Sequence, residues 1–186
     1  AYDHKGYSEK VGYDNKKNIK TDLSISQNEG LSQFYNYMTS KNNAERIFEN
    51  RLINSSIQYG FAENLTLSAR YSNFIDSQQV KDNDPDHFDT ENNEGDLNLN
   101  WNVNSKNNLL AGVTYLKSDF KSNDVKDKKQ SIDSTGYYVQ HQYQTDKLNT
   151  QLGIRTEDNE QFGTHTVGQG AVRYQVLPET SIYANI

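Results

Sequence analysis

The chain has 186 residues, a formal net charge of -6 from 19 basic and 25 acidic side chains, and no cysteine. The scattered basic residues argue against nucleic acid as a partner, and the absence of cysteine excludes a disulfide framework and a thiolate metal site. The mean hydropathy is -0.99, and no apolar run approaches the roughly 20 residues that a membrane helix needs.

Ten segments of the chain alternate polar and apolar residues, a period that only a β-strand sorts onto two faces. In the clearest case Leu97, Leu99, Trp101 and Val103 alternate with aspartate and asparagine. The pattern predicts strands, in chain order, at residues 5–13, 20–27, 51–61, 64–75, 95–104, 108–120, 135–145, 149–158, 164–176 and 180–186.

The connectors between these segments are alternately short and long. The short ones cover residues 14–19, 62–63, 105–107, 146–148 and 177–179, and the long ones cover 28–50, 76–94, 121–134 and 159–163 with its flanks. Transmembrane barrels have short periplasmic turns and longer extracellular loops. The predicted fold class is therefore all-β, an antiparallel transmembrane β-barrel segment of about ten strands with short periplasmic turns and long extracellular loops.

The two faces of the predicted strands differ in chemistry. One outward stripe is Leu65, Leu67, Ala69 and Tyr71, and its opposite face is Thr66, Ser68, Arg70 and Ser72. Tyrosines near stripe ends are typical of the aromatic girdles of membrane barrels, although tyrosine is also favoured in any strand. No carboxylate pair or nucleophile–base set recurs at a useful spacing, so no enzyme and no catalytic residue is expected.

One hairpin carries a family resemblance. Residues 155–166 read Arg-Thr-Glu-Asp-Asn-Glu-Gln-Phe-Gly-Thr-His-Thr. This segment resembles the Arg-x-Asp/Glu-Asp-x-x-x-Phe-Gly-x-His-x-Thr hairpin of TonB-dependent outer-membrane receptors, and it is most similar to that of their cobalamin transporter. Residues 134–138 resemble the strand that precedes this hairpin in the family, and residues 178–184 resemble the strand that leads to the next extracellular loop.

The resemblance implies a 22-stranded barrel of the bacterial outer membrane, plugged by an N-terminal domain. Residues 1–186 are then expected to be a partial barrel domain, without the plug domain and without the C-terminal strands. The implied function is import of cobalamin or a related corrinoid, energised by the TonB complex through the plug. The alternatives are a siderophore or haem receptor of the same class, and a soluble or surface-displayed β-sheet binding protein such as an adhesin.

Ligand-binding residues are expected in the outward connectors, because barrel strands mostly provide scaffold. Aromatic residues of the first long connector suit a large planar ligand, and the alternatives are a strand that continues above the membrane or packing between loops. Polar residues of the hairpin suit hydrogen bonds to ligand amides, and the alternative is a solvated turn. The ligand candidates are Phe34, Tyr35, Tyr37, Glu157, Asp158, Asn159 and Gln161.

The densest acidic cluster is a candidate calcium site, because alternating oxygen donors are what calcium needs. It lacks the glycine and the distal glutamate of an EF-hand loop, and the alternative is an ordinary solvated loop. No other cofactor is expected. The candidate ligands are Asp82, Asp84, Asp86 and Asp89.

Overall fold

The computed structural model describes residues 2–36, 41–82, 85–123 and 129–186. These residues form ten strands: β1 (Tyr2–Asp14), β2 (Ile19–Asn36), β3 (Lys41–Ala62), β4 (Leu65–Lys81), β5 (Asp86–Asn104), β6 (Asn107–Ser122), β7 (Lys129–Gln144), β8 (Leu148–Asn159), β9 (Gly163–Leu177) and β10 (Thr180–Asn185). None of the described residues belongs to a helix of the length and apolar character that crossing a membrane requires.

All ten strands form one sheet in which each strand pairs antiparallel with the next along the chain. The predicted all-β fold with ten antiparallel strands is confirmed. Directly paired residues point to the same face of a sheet, so the register assigns every strand residue to one of two faces. The outer face carries the predicted apolar stripes, and the inner face carries their polar neighbours.

The outer apolar stripe shifts steadily from β1 to β9. Val11 of β1 lies in the same paired row as Tyr71, a row that reaches Tyr115 in β6. Val172 of β9 lies in the row that reaches Asn107, eight residues lower in β6. A drift of this kind is expected for strands that tilt relative to a barrel axis. The lipid-facing band is perpendicular to that axis, whereas the rows of paired residues run at an angle to the band.

The connectors predicted at residues 28–50 and 76–94 are much shorter in the structure, because the strands on both sides extend into them. Strand β2 continues to Asn36 and β3 begins at Lys41, while β4 continues to Lys81 and β5 begins at Asp86. The prediction followed outward apolar alternation, which ends where the strands leave the lipid. The hydrogen-bond ladder continues because backbone groups make it and no particular side chains are needed.

The described residues contain almost no buried hydrophobic core. Ala44 is the one hydrophobic residue among them that is fully buried. The large exposed hydrophobic side chains lie mostly on the outer face, including Leu23, Ile57, Leu97, Val139 and Ile154. A sheet that presents its apolar side chains outward matches a lipid environment, not a water-soluble sandwich.

Asparagine side chains close several turns by accepting backbone N–H groups. Asn15 Oδ1 accepts hydrogen bonds from the backbone nitrogens of Lys17, Asn18 and Ile19 at 2.9–3.0 Å. Lys16, within this turn, has a φ of 58°, in the left-handed region. Asn104 makes the equivalent bonds between β5 and β6, so the predicted short turns are confirmed there with a defined chemistry.

Candidate ligand-binding site

The polarity of the two faces reverses along the strands. In the lower part of β4, Leu67 and Ala69 point outward while Ser68 and Arg70 point inward. Above Tyr71 the outer side chains of β4 and β5 are polar apart from Ile75. The Tyr71 hydroxyl donates to Asn93 Oδ1 at 2.6 Å, and Asn73 Nδ2 donates to Glu91 at 3.1 Å. The reversal places the upper limit of the lipid-facing band near Tyr71 in this strand.

The inner face at the level of the lipid band is built around a buried carboxylate. Asp96 is 6% exposed and accepts hydrogen bonds from Arg70 Nη2 at 3.3 Å, Asn98 Nδ2 at 2.6 Å and the Tyr138 hydroxyl at 3.0 Å. Gly112 makes room for this arrangement, since a Cβ there would lie 2.5 Å from the Tyr138 oxygen. The network ties β4, β5 and β7 together from inside.

A second inner network joins β6, β7 and β8. Arg155 donates to Thr114 Oγ1 at 2.9 Å and to Glu157 at 3.3 Å, and the Ser134 hydroxyl donates to Glu157 at 2.7 Å. Glu157 lies above Ile154, the last apolar side chain of the outer stripe in β8. The Ser134 hydroxyl, with a smaller contribution from Arg155, lowers the pKa of the Glu157 carboxyl.

Two open grooves follow these networks on the inner face. Their volumes are about 430 Å³ and about 520 Å³, and both are lined by Arg70, Glu94 and Asp96. Charged side chains on a surface enclosed by the strands would contact water or polar protein, so this level of the wall is suited to hydrated or polar contacts.

Above the polar networks, the inner face carries a group of apolar and aromatic side chains set among polar ones. We call this region the inner apolar patch. It occupies adjacent paired rows of β3 to β7, and its half-buried members are Phe48, Leu52, Phe74, Phe88, Phe120 and Ile132. Gly30 leaves space for the Phe48 ring, whose Cζ would lie 2.6 Å from a Cβ at that position. Apolar groups that face inward above the lipid form a surface for an apolar or aromatic ligand group.

The predicted aromatic ligand residues separate onto two faces. Phe34 lies half-buried on the inner face of β2, where the Arg46 guanidinium carbon is 5.7 Å from its ring centroid. Tyr35 points to the outer face and is exposed. Tyr37 lies outside the described residues. Strand β2 continues through Phe34 and Tyr35 to Asn36, as one alternative expected, and a role of these residues in ligand binding stays a prediction.

The hairpin candidates also divide. Glu157 faces inward, whereas Asp158 faces outward and accepts a hydrogen bond from Thr164 Oγ1 at 2.8 Å. Asn159 Oδ1 accepts hydrogen bonds from the backbone N–H groups of Gln161 and Phe162 at 3.0 and 3.1 Å, so this side chain stabilises the turn. A small groove of about 240 Å³ joins Glu157 and Asn159, and its other lining residues are Arg155, Phe162, His165 and Val167.

The four predicted calcium ligands are not gathered by the described structure. Asp86 lies on the inner face of β5, whereas Asp89 lies on the outer face and its carboxylate is 2.7 Å from His87 Nε2. Asp82 has its own interaction partner, and Asp84 lies outside the described residues. Across the described parts of the chain no three His, Asp or Glu side chains group to hold a metal. The complete calcium site stays a prediction.

Sequence reasoning missed the inner apolar patch. Its members fell within connectors, or on strand faces that were assigned to the lumen. The available signal was a change of phase: Phe74 occupies the inner position of β4 that Ser68 and Arg70 occupy lower down. A period-two pattern that keeps its period and swaps its faces marks a strand that passes from lipid into water.

Comparison with a protein-family model gives a match over nearly the whole chain. The model is described as "TonB dependent receptor-like, beta-barrel", and it matches residues 2–186. No curated protein sequence matches the chain.

Solved structures with the same fold have low sequence identity to this chain. The FrpB iron transporter of Neisseria meningitidis has a TM-score of 0.83 at 12% identity over 99% of this chain and 37% of its own. The alcaligin outer-membrane receptor FauA of Bordetella pertussis has a TM-score of 0.80 at 12% identity, and FpvA of P. aeruginosa, solved with pyoverdines and iron, has 0.72 at 15%. The last two matches each cover 99% of this chain and 35% of the receptor, so the chain spans about a third of the length of these receptors.

Proposed function

Because the chain belongs to the TonB-dependent receptor-like β-barrel family of the bacterial outer membrane, we propose that the whole protein is a receptor that imports an iron chelate. Ligand would be captured from outside on the inner apolar patch. Passage through the barrel would be energised by the TonB complex acting through a plug domain.

The inner apolar patch is the observation that supports a ligand of this kind. A wall that served only as scaffold would gain nothing from phenylalanines that face inward above the lipid. Burial of apolar surface from a ligand is favourable by roughly 25 cal/mol per Å², and Phe48, Phe74 and Phe120 offer that surface. The neighbouring folds carry names of iron, alcaligin and pyoverdine receptors, which favours a chelated metal as cargo.

Cobalamin is the second candidate ligand. It is supported by the resemblance of residues 155–166 to the hairpin of the cobalamin transporter, a feature independent of the inner apolar patch. A corrinoid is also a large ligand with apolar surface and peripheral amides, so the same patch would suit it. Iron chelates and corrinoids are therefore separated by binding and growth measurements.

The test is uptake by a strain that lacks the gene and by the same strain carrying it. Ferric hydroxamates, ferric catecholates, haem and cyanocobalamin would each be supplied as the limiting nutrient. We expect gene-dependent growth on at least one ferric chelate, and loss of that growth when TonB is deleted. Gene-dependent uptake of cyanocobalamin alone would replace the iron proposal with the second candidate, and no gene-dependent uptake would contradict both.

A pair of variants on one strand tests the location of the site. Phe74→Ser removes an inner aromatic side chain, and Ile75→Ser removes an apolar side chain from the outer face one residue away. We expect the first to weaken binding of the imported ligand and the second to leave it unchanged. Equal binding by both variants would place the ligand elsewhere.

A further inference from the structure

Two hydrogen-bond acceptors are left without donors in the middle of the inner apolar patch. Asn50 of β3 and Asp76 of β4 are direct cross-strand partners on the inner face. Asn50 Oδ1 and Asp76 Oδ1 are both buried and accept no hydrogen bond from any residue that the structure describes. The other Asp76 oxygen accepts one from Gln78 Nε2 at 3.0 Å.

Among the described residues of the inner rows adjacent to this pair, the one basic side chain is His4, which stacks on the Phe48 ring with the ring centroids 6.2 Å apart. The row above the pair contains Phe48 and Phe88, and the row below it contains Leu52 and Phe74. The described residues of these three inner rows, from β1 to β7, include no lysine and no arginine. A buried carboxylate oxygen without a donor is unfavourable, and folds rarely keep one without a use for it.

The two free oxygens of Asn50 and Asp76 determine which kind of ligand group can bind there. A carboxylate and an amide oxygen side by side accept hydrogen bonds from a group rich in donors, and an alkylammonium has three N–H donors and no acceptor. Its charge strengthens the bond to Asp76. Phenylalanine faces nearby attract a cation as well. An anionic group would be repelled by Asp76 and would leave both acceptors unpaired.

We propose that Asn50 and Asp76 form a subsite for a protonated amine of the ligand, set within the inner apolar patch. The proposal rests on the proposed function and narrows its substrate class to chelates that carry an aliphatic ammonium group beside apolar surface. Ligands whose only exposed charges are anionic are disfavoured.

The test uses the whole protein in a non-ionic detergent, with 4-fluorobenzylammonium as the probe and 4-fluorobenzyl alcohol as its neutral analogue. Binding of each is followed by ¹⁹F NMR titration. Charge-assisted hydrogen bonds lead us to expect the ammonium to bind about tenfold or more tightly than the alcohol. Equal affinities for the two probes would overturn the proposal.

Variants assign the selectivity to the pair. Asp76→Asn removes the charge at constant shape, and we expect it to abolish the preference for the ammonium. Asn50→Asp adds a second carboxylate and is expected to increase that preference. Glu91→Gln is the matched control, because Glu91 faces outward on the adjacent strand and its hydrogen bonds from Asn73 and Asn93 survive the change. An unaltered preference in Asp76→Asn would overturn the assignment.

The two proposals fail in different ways. Equal probe affinities together with gene-dependent uptake of a ferric chelate would overturn the ammonium subsite and leave the receptor function intact. Ammonium selectivity without uptake of any chelate would overturn the receptor function and leave the subsite. Heat-modifiable migration in gel electrophoresis, measured for each variant, verifies that its barrel is folded.

Discussion

Placing arginine at Leu99 tests whether the outer face contacts lipid. Leu99 lies on the outer face of β5, paired with Leu67 on one side and Ala111 on the other. It is four residues from Val103 near the lower end of the band and four from Gly95 at its upper end. With a rise of about 3.3 Å per residue and a tilt of about 45°, Leu99 lies roughly 9 Å from either limit.

The expected cost follows from that depth. An arginine on the lipid face near the bilayer midplane destabilises a barrel by about 2–4 kcal/mol, and the cost falls towards zero at the interfaces. We therefore expect Leu99→Arg to lower the free energy of unfolding by about 2–4 kcal/mol. Asn100→Arg, which faces the lumen, and Ser77→Arg, which faces outward above the band, are expected to change it by less than about 1 kcal/mol.

The assay is equilibrium unfolding of the whole protein in lipid vesicles by guanidinium chloride, followed by intrinsic fluorescence. The comparison between Leu99→Arg and Asn100→Arg is decisive, since the two positions are adjacent and occupy opposite faces of β5. If both variants lost the same stability, the assignment of inner and outer faces would be refuted. If neither did, the outer face would not contact lipid.

Three further variants test local features. Asn15→Ala removes the acceptor of three turn N–H groups and should cost about 1 kcal/mol of unfolding free energy in the same assay. Gly112→Ala places a methyl group against the Tyr138 oxygen and should lower the free energy of unfolding by about 1–3 kcal/mol. Gly112→Ser has a Cβ in the same place and should lower it by at least as much. Ser134→Ala removes the main cause of the lowered pKa of Glu157. A carboxyl group with a lowered pKa stabilises the folded state only when it is ionised. The loss of stability in Ser134→Ala should therefore be present at neutral pH and disappear as the pH falls through the lowered pKa. A difference that grew on acidification would contradict that sign.

Sequence reasoning was strongest where the chain crosses the lipid. The alternation at Leu97 to Val103 identified both the strand and its outward face, because lipid on one side and water on the other impose opposite demands on adjacent residues. The short turns could also be predicted, since the side chains of Asn15 and Asn104 stabilise turns by accepting hydrogen bonds from backbone N–H groups.

The same reasoning failed above the lipid. Gln78 and Gln79 lie on opposite faces of β4 and both are polar, so this part of the strand shows no alternation of polar and apolar residues. The hydrogen bonds between the backbones of β3 and β4 nevertheless continue. Phe34 and Tyr35 were adjacent candidates in one connector, yet a strand sends adjacent side chains to opposite faces. Pairing across strands, which brings Asn50 beside Asp76, is information that no single segment contains.

The most direct test of the central claim is nitroxide scanning along β4. The chain has no cysteine, so single cysteines can be placed in this segment from residue 65 to residue 81 and spin-labelled in the reconstituted protein. The structure predicts that labels at odd positions up to Tyr71 are accessible to oxygen dissolved in lipid, and that this accessibility ends above Tyr71. At a saturating concentration, which offsets the weaker binding expected when Phe74 is replaced, an imported ligand should immobilise the label at position 74 and not the one at position 75. Oxygen accessibility continuing at odd positions to residue 81, or ligand-induced changes confined to the outer face, would contradict the reversal of the two faces on which the proposed binding site depends.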